Sequence, residues 1–283
     1  MLKLSEIYIY PIKSLGGIRL EKANITTRGL ENDRRFMLVD ESGRFLSQRE
    51  HPQLALFQTE IEGNFLLIKN KKSGNSLKID TQYSITQSFN HSIIVKIWDD
   101  ITKAIEVSNE ASDWFTQALG IPTRLVFMPE ESHRKTEAPY SLTGEEITSF
   151  SDGYPILIIG QSSLDDLNNR LENPVSINRF RPNFVFTDGE PFEEDAWHEF
   201  TIGNIRFFGV KPCSRCIMTT IDQETGEKKG KEPLLTLNKY RKAGNKILFG
   251  QNVLISQLGK VKVGDLIEVR SLEKLDKFKV EIA

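Results

Sequence analysis

Both cysteines of the chain, Cys213 and Cys216, fall in one short stretch, KPCSRCIMTTIDQETG, Lys211 to Gly226. A C-x-x-C spacing serves a disulfide, half of a zinc site, a redox dithiol, or one working thiolate with a bystander. A structural zinc site needs four Cys or His ligands. Here there are two cysteines, and the four histidines, His51, His91, His133 and His198, show no paired spacing. A thioredoxin-like dithiol expects a strand-to-helix junction in a βαβ context. This pair follows the strand candidate NIRFFGV and precedes CIMTTID, which also reads as extended. Two readings stay open: a pair of inert buried cysteines, and a single thiolate. Lys211 and Arg215 flank the pair, and cations favour the thiolate, the form that binds soft or transition metals. Ser214, Thr219 and Thr220 add hydroxyl donors. One thiolate among cationic and hydroxyl donors suits an anionic, metal-bearing cofactor.

Three further stretches carry cations where an anion could sit. In YPIKSLGGIRL, Lys13 and Ser14 follow a strand candidate and precede Gly16-Gly17. Glycines let a backbone approach a ligand, and Lys with Ser makes a phosphate pair. The G-x-x-x-x-G-K-[ST] spacing of a phosphate loop is absent. In GLENDRRFMLVD, Arg34 and Arg35 precede a buried-looking strand, and a period of two turns only one of them toward any site. In NRFRPNFVF, Arg179 and Arg181 share one face if the segment is extended, with Pro182 fixing the backbone. The ordinary reading of each stretch is solvated surface charge. Glu193, Glu194 and Asp195 in EPFEEDAWHEF read as a solvated turn.

These residues must be positioned by a strand-rich scaffold. In the first hundred residues, SEIYIYPI, RRFMLVD, QLALFQTEI, NFLLIKN and SIIVKIW are short runs rich in β-branched or aromatic residues, separated by turn signals. A helix candidate at SNEASDWFTQALGIP, capped by Ser108 or Ser112 and stopped by Gly120 and Pro122, marks a hinge between two halves. Residues 129–153 form a long polar stretch, either plain surface loop or active-site lid. Beyond it, YPILIIG, PNFVFT, HEFTIGNIRFFGV, LFGQNVLIS and LIEVRSL read as strands. QSSLDDLNNRLE (capped by Ser162 or Ser163) and PLLTLNKYRK (Pro233 at its first position) read as helices. The expected fold is mainly β, a β-rich α+β chain: an N-terminal β-barrel domain over 1–120, then a second β-barrel domain over 121–283 with a few peripheral helices.

The 283 residues carry 39% apolar and 27% charged side chains and a formal charge of −2. That balance gives no basic excess for nucleic acid and no acidic excess for disorder. No signal peptide is recognisable, no apolar run nears the roughly 18 residues of a membrane span, and two cysteines make no disulfide framework. The expectation is a cytoplasmic protein with reduced thiols, acting on neither nucleic acid nor membrane.

Together, KPCSRCIMTTIDQETG, GKEPLLTLNKYRK and FGQN, with YPIKSLGG and LENDRRFMLVD in the first half, resemble the MOSC family, named after the molybdenum cofactor sulfurase C-terminal domain. The resemblance covers nearly the whole chain. It is similar in pattern to the mitochondrial amidoxime-reducing components and to bacterial MOSC reductases of N-hydroxylated bases. It implies a molybdopterin-type molybdenum cofactor with Cys216 on the metal and Ser214 and Arg215 against the cofactor. Lys13, Ser14, Arg35 and Arg181 carry over as further cofactor contacts. Gly153 and Tyr154 stand where the mitochondrial proteins have small hydroxyl residues, and contact there would run through backbone groups. The implied activity is reduction of N-hydroxylated small molecules. Bacterial relatives often append a [2Fe–2S] domain, which needs four further cysteines. None is available here, so electrons are expected from a separate ferredoxin-, flavoprotein- or cytochrome-type donor. The other role the family implies is a sulfur carrier or a pyridoxal-phosphate-associated module.

Overall fold

The computed structural model describes residues 1–81 and 92–272; His91 lies outside them. Within these residues the chain is strand-rich, and its helices are short and peripheral. The largest sheet has nine strands. Eight follow one another in space as Ile18–Leu20, Lys3–Ile9, Phe184–Thr187, Ile156–Gly160, Lys246–Ile255, Ile205–Ser214, Trp197–Ile202 and Ile267–Leu272. The ninth, Lys242–Ala243, pairs with Lys246–Ile255. Only the Ile156–Gly160 and Phe184–Thr187 pair is parallel. Leu4 N–H donates to Asp265 O (2.9 Å) and Ile267 N–H to Leu2 O (3.0 Å), so the far strand returns to the first and curls the sheet toward closure. Its interior holds Phe184, Phe186, Trp197, Phe200 and Phe207, all essentially inaccessible.

A second barrel-like unit is built from the sheet Phe36–Val39, Arg124–Phe127, Asp100–Glu106, Ser92–Ile97 and the meander Phe57–Glu62, Phe65–Asn70, Ser76–Asp80. Helix α1 (Asn109–Leu119) plugs one end by burying Ala111 and Phe115. Ser108 is its cap, accepting from Ala111 N–H, and Gly120 ends it at φ 72°, the left-handed stop glycine supplies most cheaply.

The two sequence segments interleave. Strand Lys3–Ile9 pairs with Phe184–Thr187, and Lys22–Thr26 pairs with Gly259–Lys262. Buried Gln48 and Gln223 exchange reciprocal amide hydrogen bonds across the seam (3.1 and 2.9 Å).

Several local expectations change. CIMTTID is not extended: Ile217–Thr220 is one turn of 3-10 helix with Cys216 at its N-cap. Helix α2 (Gln161–Asn168) is shorter than its polar pattern suggested and has Gly160, not a serine, at its N-cap. Ser163 is instead drawn inward to Glu194 (3.0 Å). In helix α3 (Leu234–Tyr240), Pro233 is the N-cap rather than the first helical residue. Glu194 and Asp195 form no solvated turn. Glu194 is sealed in against Gly160 N–H and Ser163, where burial pushes its carboxyl up to about 7, and Asp195 pairs with buried Arg241.

Residues 129–153 fold as a small hairpin, Arg134–Lys135 against Ile147–Thr148, followed by a tight segment. Buried Arg134 clamps that segment, donating to the carbonyls of Ser149 (3.0 Å), Ser151 and Asp152 while its Nε meets Asp100 (2.6 Å). Arg134→Met leaves these carbonyls without their donor, so it is expected to cost on the order of 3 kcal/mol, read from urea unfolding midpoints at constant slope.

Candidate active site: a cationic cavity with two thiols

The strand Ile205–Ser214 runs to the cavity with two breaks in its register against Lys246–Ile255, between Gly209 and Lys211 and between Pro212 and Ser214. Such irregularities re-aim side chains at sheet rims. Arg215 N–H returns to Ile247 O (2.7 Å), and Thr219 N–H and Oγ1 both donate to Cys216 O (3.1 and 3.0 Å), so the thiol-bearing residue is pinned from both sides. Both cysteines are free thiols lining one cavity.

That cavity has a volume of about 140 Å³ and opens to solvent. It is lined by Lys13, Arg34, Arg49, Arg179, Arg181 and Arg215 against one carboxylate, Asp152. Of the residues singled out in the sequence, Lys13, Ser14, Gly153, Tyr154, Arg181, Ser214, Arg215 and Cys216 all reach it. Arg35 does not. Its guanidinium turns away onto Met128 O (2.6 Å), Glu130 (2.7 Å) and the Phe127 ring. Arg34 faces the cavity in its place, because the chain enters the strand through left-handed residues at Asn32 (φ 66°) and Arg34 (φ 48°). Arg34 is held by Asp33 (2.6 Å), Asn183 Oδ1 (3.0 Å) and Arg181 O (3.2 Å).

Arg179 and Arg181 also converge on the cavity, but not through strand alternation. Arg179 ends a 3-10 turn and pairs with Asp222 (3.0 Å), and Arg181 sits at φ 55°. Arg181 donates to Leu15 O (2.6 Å) and, like Arg34, packs on the Tyr10 ring. Burial lowers Arg181 to about 10 and raises the Tyr10 phenol to about 12.

Lys13 is almost wholly buried and donates to Phe150 O (2.8 Å) and Asp152 Oδ1 (2.6 Å). Burial lowers its ammonium to about 8, with Asp152 pulling the other way. Asp152 has a largely exposed side chain; desolvation against the cavity wall works upward, but the neighbouring Lys13 charge outweighs it and the carboxyl ends well below its usual range. Ser14 is buried at φ 70° beside it.

The cations adjacent in sequence do not serve Cys216. Lys211 reaches Glu137 (2.6 Å), and Arg215 donates to Cys213 Sγ (3.0 Å) and Phe180 O (2.7 Å). The guanidinium at Cys216 belongs to Arg49, whose Nε lies 3.3 Å from Sγ. Arg49, Trp98 and Asp152 are the site residues that sequence reasoning missed. Trp98 closes the strand candidate SIIVKIW, Asp152 lies in the long polar stretch 129–153, and nothing local separates Arg49 from ordinary surface charge.

Two family models match the chain: the MOSC N-terminal beta barrel domain over residues 1–122 and the MOSC domain over 145–268. Mitochondrial amidoxime reducing component 2 of Bos taurus is 34% identical over 277 residues, covering 93% of this chain and 81% of that one. The chain belongs to the MOSC family. Mitochondrial amidoxime-reducing component 1 of Homo sapiens is 31% identical over 282 residues with the same coverage. A molybdenum cofactor sulfurase of Oryza sativa subsp. japonica is 31% identical over 265 residues, which is 87% of this chain and 32% of that one.

The electrostatics of this MOSC cavity are testable with a simple anion whose own charge does not change with pH. Lys13 holds its proton below about 8 and loses it above, so anion attraction must fall as pH rises. Sulfate binding followed by calorimetry is expected to weaken by about tenfold between pH 7 and pH 9.5, the loss of one charge-assisted hydrogen bond. Lys13→Met is expected to bind weakly at both pH values.

Proposed function

We propose that the cavity binds a molybdopterin-type cofactor whose metal takes the Cys216 sulfur, and that the protein reduces N-hydroxylated small molecules such as amidoximes and hydroxylamines. The observation that carries this reading is the donor set: two free thiols, Cys213 and Cys216, in a cavity lined by six cationic side chains and one carboxylate. Among the described residues no group of three or more His, Cys, Asp and Glu gathers to hold a metal. A metal at Cys216 must therefore bring most of its ligands with it, as an organic cofactor does.

The residues present fit such a group. Lys13, Ser14, Arg34 and Arg181 would hold its anionic end through charge-assisted hydrogen bonds. Ser214 and Arg215 lie beside the metal-binding residue, and the Arg215 Nε is buried without a partner, a donor left for a ligand oxygen. Arg34 takes the place in this proposal that the family resemblance gave to Arg35. When bound, the cofactor supplies two-electron redox chemistry, while the protein supplies binding, orientation and electrostatics. The reaction takes two electrons and two protons, breaks the N–O bond and releases water. Asp152, held ionised by Lys13, is suited to accept a hydrogen bond from a substrate N–H or O–H rather than to donate one. The electrons are assigned to a separate donor protein; the two cysteines present here lie at the cavity rather than at a site for an iron–sulfur cluster. The names of the mitochondrial relatives support the substrate class.

The sulfurase relative keeps a second reading in view, in which Cys216 carries sulfur rather than a metal. One experiment separates them and tests the asymmetry of the cysteines. Protein purified from a host that makes the cofactor is expected to contain about one molybdenum per chain. Cys216→Ala is expected to lose the metal and all reductase activity, and Cys213→Ala to keep most of both, because Cys213 Sγ is engaged by Arg215. A metal-free parent carrying cyanide-labile sulfur on Cys216 supports the carrier instead, and equal loss in both variants refutes the single-ligand assignment.

A further inference from the structure

Arg49 sits on a turn that is held rigidly. Ser47 O accepts from Glu50 N–H (3.1 Å) and His51 N–H (2.9 Å), and fully buried Gln48 donates to Ser14 O (2.7 Å). From this base the guanidinium crosses to Cys216, 167 positions away, and lies 4.1 Å from the centre of the Trp98 ring. Trp98 is itself fixed. Its backbone is left-handed (φ 55°), its ring meets Phe45 edge-on at 4.7 Å, and its Nε1 donates to Asp152 Oδ1 (3.2 Å). Asp152 in turn holds Lys13.

Among the described residues, Arg49 has no carboxylate oxygen within ion-pair distance, and its side-chain hydrogen bond runs to the Cys216 sulfur. The indole face lies against the guanidinium on one side, so Trp98 restricts the positions from which the Nε–H meets the sulfur.

The geometry points to Arg49, clamped by Trp98, as a positioning residue that fixes the Cys216 sulfur through an N–H···S hydrogen bond and tunes the metal bound there. The inference rests on the proposed reading of Cys216 as the metal ligand. Hydrogen bonds to first ligands orient them and adjust the metal, and donors to a ligating sulfur favour the reduced, more negative state. Arg49 and Trp98 both belong to the segment matched by the N-terminal barrel model, whereas the sulfur belongs to the MOSC segment. The N-terminal unit therefore contributes directly to the metal's surroundings as well as to the walls of the cavity.

The test uses the full chain, purified from a cofactor-making host, as parent, Arg49→Gln, Arg49→Lys and Trp98→Leu. Molybdenum and pterin per chain, the paramagnetic resonance spectrum of the one-electron-reduced metal, and kcat and KM for a simple amidoxime with a chemical reductant are measured. Arg49→Gln is expected to keep its pterin, to shift the spectrum, and to lose roughly 10- to 100-fold in kcat or in metal retention. Its KM is expected to stay within about twofold, as for an interaction that acts on the metal rather than on substrate binding. Arg49→Lys, a cation without the planar fork, is expected to recover only part, and Trp98→Leu to shift the spectrum in the same direction by less. If Arg49→Gln and Arg49→Lys both keep the parent's spectrum, metal content and kcat, the positioning role is wrong while Cys216 stands as the ligand. If Arg49→Gln does not fold, the spectra of Arg49→Lys and Trp98→Leu decide by the same criterion. A parent without molybdenum removes the ligand reading itself, and this role with it.

Discussion

Arg34 and Arg181 pack on one buried tyrosine ring, Tyr10, and the Lys13 ammonium is buried in the wall of the same cavity. Like charges gathered out of water repel, and each has also lost its hydration. The surrounding structure works against that cost. Asp33 neutralises Arg34, the Leu15 carbonyl receives Arg181, Phe150 O and Asp152 receive Lys13, Asp222 receives Arg179, and the Phe180 carbonyl receives Arg215. The offset is incomplete, since Lys13 and Arg181 both lie below their usual values through burial. A cavity left electropositive in this way is shaped for an anion.

The same constraint accounts for the interleaving of the two halves. Lys13, Ser14, Arg34 and Arg49 come from the N-terminal segment, while Arg179, Arg181, Arg215 and the thiol come from the C-terminal one. They can share a wall only if the seam is rigid. Strand Lys3–Ile9 sits inside the large sheet, Asn183 reaches Arg34 with Oδ1 and Tyr8 O with Nδ2, and the Gln48–Gln223 pair closes the seam from the other side. These buried amide and carbonyl contacts are directional, so they hold side chains in place more tightly than apolar packing alone.

The two cysteines, alike in sequence, have different surroundings. Cys213 is engaged by the guanidinium two residues away, and Cys216 by one from the other half of the chain. The 3-10 turn after Cys216, where an extended run was expected, holds the Cys216 carbonyl with two donors from Thr219. The C-x-x-C spacing therefore joins two sulfurs with different hydrogen-bond partners.

Much was legible in the sequence because it depends on local rules. Period-two runs of β-branched and aromatic residues marked most of the strands, Ser108 and Gly120 bracketed helix α1, and the order of motifs identified the MOSC segments and eight of the cavity residues. Where a side chain points after a left-handed residue is not a local rule. A positive φ at Arg34 reversed which of two adjacent arginines enters the cavity, and a positive φ at Arg181 let it join Arg179 without a strand. Glu194 and Asp195 look like surface charge until Ser163 and Arg241 arrive to bury them. The partner of the thiol was decided by tertiary structure alone. Adjacency along the chain pointed to Lys211 and Arg215, but a strand spends its neighbours on other contacts, and only folding brings Arg49 across 167 positions to the Cys216 sulfur.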